Sequence, residues 1–135
     1  MSTLFVAYGE PGRETVLTVA AERAAAAGDA LFVYHVQETP DESADEVRAE
    51  IERVLAATAP DVKVDIEIAV RAEHSEDTNV SRQKLVTDAL LAEDREFAYA
   101  VMGDVERGSV DGFVHASLTE AVLATHAVPV LLVPV

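Results

Sequence analysis

The residues best placed to do chemistry form one run, Val101-Met102-Gly103-Asp104-Val105-Glu106-Arg107-Gly108-Ser109-Val110-Asp111-Gly112. It reads as a buried strand, a glycine-bearing loop, and then a helix from Phe113. A junction of this kind offers free backbone N–H groups beside a helix N-terminus, which together can hold a phosphate. The loop nevertheless carries Asp104, Glu106 and Asp111 against a single cation, Arg107. Its backbone suits an anion and its side chains oppose one.

Other chemistries find little support. Gly103 and Gly108 have P-loop spacing, but Ser109 stands where the phosphate-binding lysine belongs. No G-x-G-x-x-G turn follows the first strand, so a Rossmann dinucleotide site is disfavoured. The histidines are His35, His74, His115 and His126. His35 alternates with apolar neighbours and reads as a core or strand-end residue. His126 follows a helix whose C-terminal dipole suits partial positive charge. His115 and Ser117 are two apart on a helix and do not face each other. There is no G-x-S-x-G elbow, no cysteine and no H-x-x-x-H pair, so neither a serine hydrolase nor a metal centre is indicated. Acidic pairs such as Asp41/Glu42 and Glu93/Asp94 read as solvated helix faces. The pattern demands no enzyme.

Composition narrows the partners. The 135 residues suffice for one domain with a real core, half of them are hydrophobic, and aromatics are few. The formal net charge of -15 argues against nucleic acid and anionic membranes, which are bound through Lys and Arg. No apolar run is long enough to span a bilayer, and no secretory leader precedes the first strand, so a cytoplasmic protein is expected. The acidic residues are spread along the chain, and Lys63 and Lys84 are the only lysines. That pattern is similar to proteins of salt-loving microbes, in which salt screens the self-repulsion.

The elements that must position the loop follow from hydrophobic period. Strands are predicted at Thr3–Ala7, Ala30–Val36, Val62–Val70, Phe97–Met102 and Val128–Val133. Helices are predicted at Glu14–Ala27, from Thr39 with Val47, Ile51, Val54 and Leu55 inward, around Leu85, Val86, Ala89 and Leu90, and at Phe113–Thr125. Thr39-Pro40-Asp41-Glu42 has the form of a helix start with a capping box. Val62–Val70 alternates apolar and polar positions, as at a sheet edge, and Arg71–Asn79 reads as a polar loop. The regular βα alternation predicts a single-domain α/β fold over residues 1–135, an open five-stranded parallel sheet with helices on both faces. Ligands of such sheets sit beyond the strand carboxyl ends where strand order reverses, near Tyr8–Gly12 and Gly103–Gly112.

These features together resemble the universal stress protein family, most clearly in Val101-Met102-Gly103, Ser117-Leu118-Thr119-Glu120 and His126-Ala127-Val128-Pro129-Val130-Leu131-Leu132-Val133. The resemblance covers nearly the whole chain. It implies strand order 3-2-1-4-5 and an adenine-nucleotide alpha-hydrolase-like fold. It also implies a homodimer made by antiparallel pairing of the last strand, Val128–Val133. Family members that bind ATP carry Gly-x2-Gly-x9-Gly-(Ser/Thr) and an Asp at the end of the first strand. With Gly103 as the first glycine, Glu106 and Ala116 take the next two glycine positions, Ser117 the hydroxyl position, and Tyr8 the position of the Asp. A like-charge contact at about 4 Å repels by about 4 kcal/mol at a surface-like dielectric, so Glu106 opposes a polyphosphate.

The expectation is therefore a non-enzymatic, stress-linked regulatory homodimer with weak or lost ATP binding and an unidentified protein partner. The alternative is an ATP or adenine-nucleotide module in which Gly103, Ser109 and Ser117 meet phosphates while Tyr8 and Val36 hold the base, Tyr8 by stacking.

Overall fold

A computed structural model describes residues 1–70, 78–104 and 118–135, with residues 78–81 described by their backbone alone. Its elements run β1 (Thr3–Ala7), α1 (Arg13–Ala27), β2 (Ala30–Val36), α2 (Ala44–Thr58), β3 (Val64–Ala69), α3 (Thr78–Leu90) and β4 (Tyr99–Asp104). Helical residues 118–124, termed α4, and β5 (Val130–Pro134) complete them. The sheet order is β3-β2-β1-β4-β5, with every adjacent pair parallel. The expected α/β fold, its order 3-2-1-4-5 and its two edge strands are all present.

Strand alternation divides the core. Leu4 and Val6 of β1, Tyr8 just past it, and Leu31 and Val33 of β2 face α1 and α2, meeting Val16, Leu17, Ala20, Ile51 and Leu55. Phe5, Phe32, Tyr34 and Val36 face the other way, toward Val86 and Leu90 of α3 and Leu118 and Val122 of α4. Each fully buried Val, Leu or Phe contributes about 1.5–3 kcal/mol, so the two layers hold the sheet from both faces. The alanines of α1 let that helix lie close to the central strands. Gly28 then ends it in the left-handed conformation (φ 72°), which costs a residue with a Cβ more than glycine. At the β3 edge, Asp65 and Glu67 are exposed and alternate with half-buried apolar residues, the pattern of a strand with one wet side.

Several boundaries differ from expectation. Helix α2 starts at Ala44, five residues beyond Thr39, and Ser43 caps it by accepting from the Glu46 N–H at 3.4 Å. The capping-box geometry fails because the Glu42 side chain is used elsewhere, accepting from the Glu38 N–H at 3.0 Å and meeting His35. Strand β4 begins at Tyr99, two residues late, and β5 at Val130. Thr78 and Asn79 belong to α3, whereas residues 71–77 lie outside the described residues, as do residues 113–117 of the predicted fourth helix. Among the described residues no helix is long and apolar enough to cross a membrane.

Candidate functional site

Strands β1 and β4 lie side by side, but β1 connects onward to β2 on one side of the sheet and β4 to β5 on the other. The divergence opens a crevice at their carboxyl ends, the place where open α/β sheets bind ligands. It lies on the α3/α4 face. Ala7, Met102 and Leu118 give it an apolar lining, and Gly9, Gly103, Thr119 and Arg82 its polar surface.

Arg82 is held there by geometry. Its guanidinium packs so closely on Gly9 that a Cβ at that position would overlap it. Gly9 therefore leaves room for the tip of the Arg82 guanidinium beside the backbone just after β1. Glu10 also borders the crevice, but its carboxylate pairs with Arg13 Nε at 3.2 Å.

The residues expected at the site are not all brought together. Gly103 lines the crevice. Val36 is buried on the same sheet face, in the core beneath α3. The Tyr8 ring lies on the opposite face, only 2% exposed, because it continues the Leu4–Val6 alternation into the α1/α2 layer. Ser109 and Ser117 lie outside the described residues, as do Glu106, Arg107, Gly108, Asp111, Gly112, His115 and Ala116.

Tyr8 belongs instead to a polar cluster behind the crevice. Its hydroxyl donates to Glu50 Oε1 of α2. Arg13 makes a two-pronged contact with the same carboxylate, 2.9 Å from each oxygen, and lies over the Tyr8 ring at 5.3 Å. Arg13 also reaches Glu38 at 3.4 Å and Glu42 at 3.3 Å. His35, fully buried, completes the cluster through the Tyr8 carbonyl and Glu42. Glu42 is thus no solvated helix-face residue, contrary to its reading beside Asp41.

Charge in this cluster is strongly biased. Burial, then the hydrogen bond to ionised Glu50, push the Tyr8 phenol well above its ordinary range. Burial works against the Arg13 cation, but the bond and charge of Glu50 overcome it and raise its pKa. Burial would likewise raise Glu50 and Glu42. Bonds from Tyr8 and Arg13 bring Glu50 below the usual carboxylate range, and bonds from His35, the Glu38 amide and Arg13 do so for Glu42. Donor atoms of His35, Glu38 and Glu42 lie within 4.8 Å of one another. Arg13, the Tyr8 carbonyl and backbone amides already engage them, so the arrangement is that of an ion-pair clamp.

Sequence patterning misses both Arg82 and this cluster. Arg82 sits in the polar first half of α3, where no apolar period singles it out. For Arg13, Glu42 and Glu50 the only signal is indirect. Tyr8, just past β1, and His35 of β2 are polar-tipped residues at inward positions, and such positions require buried partners.

Comparison with known proteins agrees with this architecture. The family model for the universal stress protein family matches residues 1–134. No functionally curated sequence matches the chain. Among solved structures, a universal stress protein in complex with cAMP is 16% identical, with TM-score 0.65 and coverage of 98% of this chain and 96% of that one. The universal stress protein from Archaeoglobus fulgidus in complex with dAMP is 19% identical, with TM-score 0.52 and coverage of 98% and 97%. Universal stress protein UspA from Lactobacillus plantarum is 16% identical, with TM-score 0.67 and coverage of 98% and 97%. At these identities the likeness concerns the fold. With the match of the family model along almost its entire length, the chain belongs to the universal stress protein family.

Proposed function

We propose that this universal stress protein is a non-enzymatic regulator, cytoplasmic and homodimeric through β5, whose crevice between β1 and β4 binds an adenine mononucleotide and takes ATP poorly. The observation that carries this reading is the crevice itself, a small trough at the switch point lined by both polar and apolar groups, with Arg82 and Glu10 on its wall. Its chemistry fits a flat base and a small anionic group. Two structural relatives hold cAMP and dAMP, each with a single phosphate, which supports the same ligand class. In sequence, Glu106 and Ala116 stand at two of the glycine positions of the family's ATP-binding pattern, which speaks against a polyphosphate ligand. No general base is positioned beside the crevice among the described lining residues, since Glu10 is paired with Arg13. That favours binding and signalling over hydrolysis.

Calorimetric titration with AMP, cAMP and ATP tests the reading. Saturable binding of a monophosphate, tighter than that of ATP, is expected. Tighter binding of ATP, or no binding of any of the three, would reject it.

A further inference from the structure

We propose that His35 and Glu42 form a proton-dependent latch, in which loss of one proton from the buried imidazole releases Glu42 and, through Glu38, loosens the loop that carries Glu10 to the crevice. Both ring nitrogens of His35 meet oxygen acceptors, Nδ1 the Tyr8 carbonyl at 2.7 Å and Nε2 the Glu42 Oε2 at 2.8 Å. A neutral imidazole has one N–H and satisfies only one of them. Full burial leaves neither nitrogen to solvent. The closed latch therefore holds one proton more than a neutral ring beside an ionised carboxylate. Burial works against the Glu42 charge, but bonds from His35 and the Glu38 amide keep it below the usual carboxylate range, which puts that proton on the ring.

The two acceptors differ in freedom. The Tyr8 carbonyl belongs to backbone pinned beside β2 by the bond from the Tyr8 N–H to the Tyr34 carbonyl at 2.9 Å. Glu42 precedes α2, and its other carboxylate oxygen already meets Arg13 at 3.3 Å. When the ring gives a proton to solvent as pH rises, Nδ1–H stays with the carbonyl and the Nε2 lone pair faces a carboxylate. Glu42 then moves toward Arg13. The same Oε2 accepts from the Glu38 N–H at 3.0 Å, so that bond goes with it. Glu38 Oε1 in turn accepts from the Glu10 N–H at 3.1 Å, and Glu10 borders the crevice.

The surroundings suit a cationic ring. Besides Glu42, Glu38 Oε1 lies 4.0 Å from Nδ1, and the Tyr8 ring stands edge-on at 5.9 Å. Arg13 of α1 is bonded to Glu38, Glu42 and Glu50, the last from α2. From β3 the register partner is apolar Ile68. Among the described residues three carboxylates thus stand against one guanidinium.

Nuclear magnetic resonance on the full-length labelled protein tests the latch, with the His35 ring nitrogens and the backbone amides followed together from about pH 6 to about pH 10. Two protonated ring nitrogens are expected at the start. As one proton is lost, the Glu38 and Glu10 amides should shift with the same midpoint. The Glu38 amide, corrected for its intrinsic rate, should then exchange at least about tenfold faster, the scale of one charge-assisted hydrogen bond. Glu42→Gln supplies an amide that can donate to a neutral Nε2, so its Glu38 and Glu10 amides should ignore pH over this range. If that variant folds poorly, the wild-type titration decides. A ring that keeps one proton, or two, across the whole range would overturn the latch. So would a ring titration that leaves the Glu38 and Glu10 amides unmoved, or amides that still follow pH in Glu42→Gln.

Discussion

Nε2 of His35 lies 2.8 Å from Oε2 of Glu42. The other ring nitrogen, Nδ1, lies 2.7 Å from the Tyr8 carbonyl oxygen, which can only accept, so Nδ1 must carry a hydrogen. The Nε2–Glu42 contact is then a hydrogen bond only with a second proton between imidazole and carboxylate. The result ties the end of β1, the end of β2 and the turn before α2 to one buried ring. The end of β1 leads into Gly9 and Glu10 at the crevice, so the cluster on one face fixes the backbone of the site on the other.

Replacing His35 should therefore cost stability out of proportion to its size. His35→Ala removes a fully buried ring and leaves the Tyr8 carbonyl and part of Glu42 without a donor. The cavity and the unsatisfied acceptors together predict a loss of about 3–4 kcal/mol. Urea unfolding followed by circular dichroism measures it. A loss below about 0.5 kcal/mol, the range of ordinary surface substitutions, would mean that the ring clamps nothing.

Arg13 contributes to the cluster's pH dependence, after Tyr8 at Glu50 and after His35 and the Glu38 amide at Glu42. Glu42 and Glu50 titrate below their ordinary value of 4.5 in the folded protein. A carboxyl whose folded pKa is depressed binds fewer protons folded than unfolded. Its stabilisation is complete above the unfolded pKa and disappears as pH falls through the folded one. Wild type should accordingly lose stability steadily as pH drops below about 4.5. Arg13→Met removes the cation that four glutamates approach, Glu10, Glu38, Glu42 and Glu50. It should destabilise the protein most near neutral pH and flatten the acid limb, so the two unfolding profiles converge as the carboxyls protonate. Parallel profiles between pH 7 and 3 would show that Arg13 has no part in the Glu42 and Glu50 ionisation.

The architecture was legible because short apolar runs and helical periods alternate without interruption. The polar side of β3 marked it as an edge, and Gly28 marked the end of α1. Less legible was the use of polar residues in three dimensions. Thr39-Pro40-Asp41-Glu42 has the local chemistry of a helix start, but a buried histidine seven residues before Glu42 competes for its carboxylate and delays α2 to Ala44. Tyr8 aligns with a family binding position, yet strict strand alternation carries its ring away from the crevice face. Arg82 carried no signal, since only the fold brings the middle of α3 beside the end of β1.

The charge balance predicts a salt requirement. A net charge of -15 on one small domain destabilises the compact state through self-repulsion. Raising salt from 0.1 M to 1 M shortens the screening length from about 10 Å to about 3 Å. The thermal midpoint should therefore climb with KCl across that range, more steeply than for a variant in which exposed acids remote from Arg13, such as Glu52 and Asp61, are neutralised to Gln and Asn. A midpoint indifferent to KCl would argue against the halophile-type reading of the acidic surface.

The last prediction concerns assembly. Strand β5 is a sheet edge, with β4 on one side, and its Leu132 is 38% exposed. Exposed Leu123 of α4 and Val135 add further apolar area to this part of the chain. An edge strand with this composition is an open template for pairing with another chain. If the homodimer forms through β5, sedimentation equilibrium should report a dimer at micromolar concentration in high-salt buffer. Leu132→Lys places a charge on the edge without removing a ladder hydrogen bond of the β4 pairing, since the backbone is untouched. It should shift the population to monomer while leaving the circular dichroism spectrum unchanged. A wild-type monomer at every concentration tested, or a Leu132→Lys variant that dimerises as tightly as wild type, would rule out β5 as the interface.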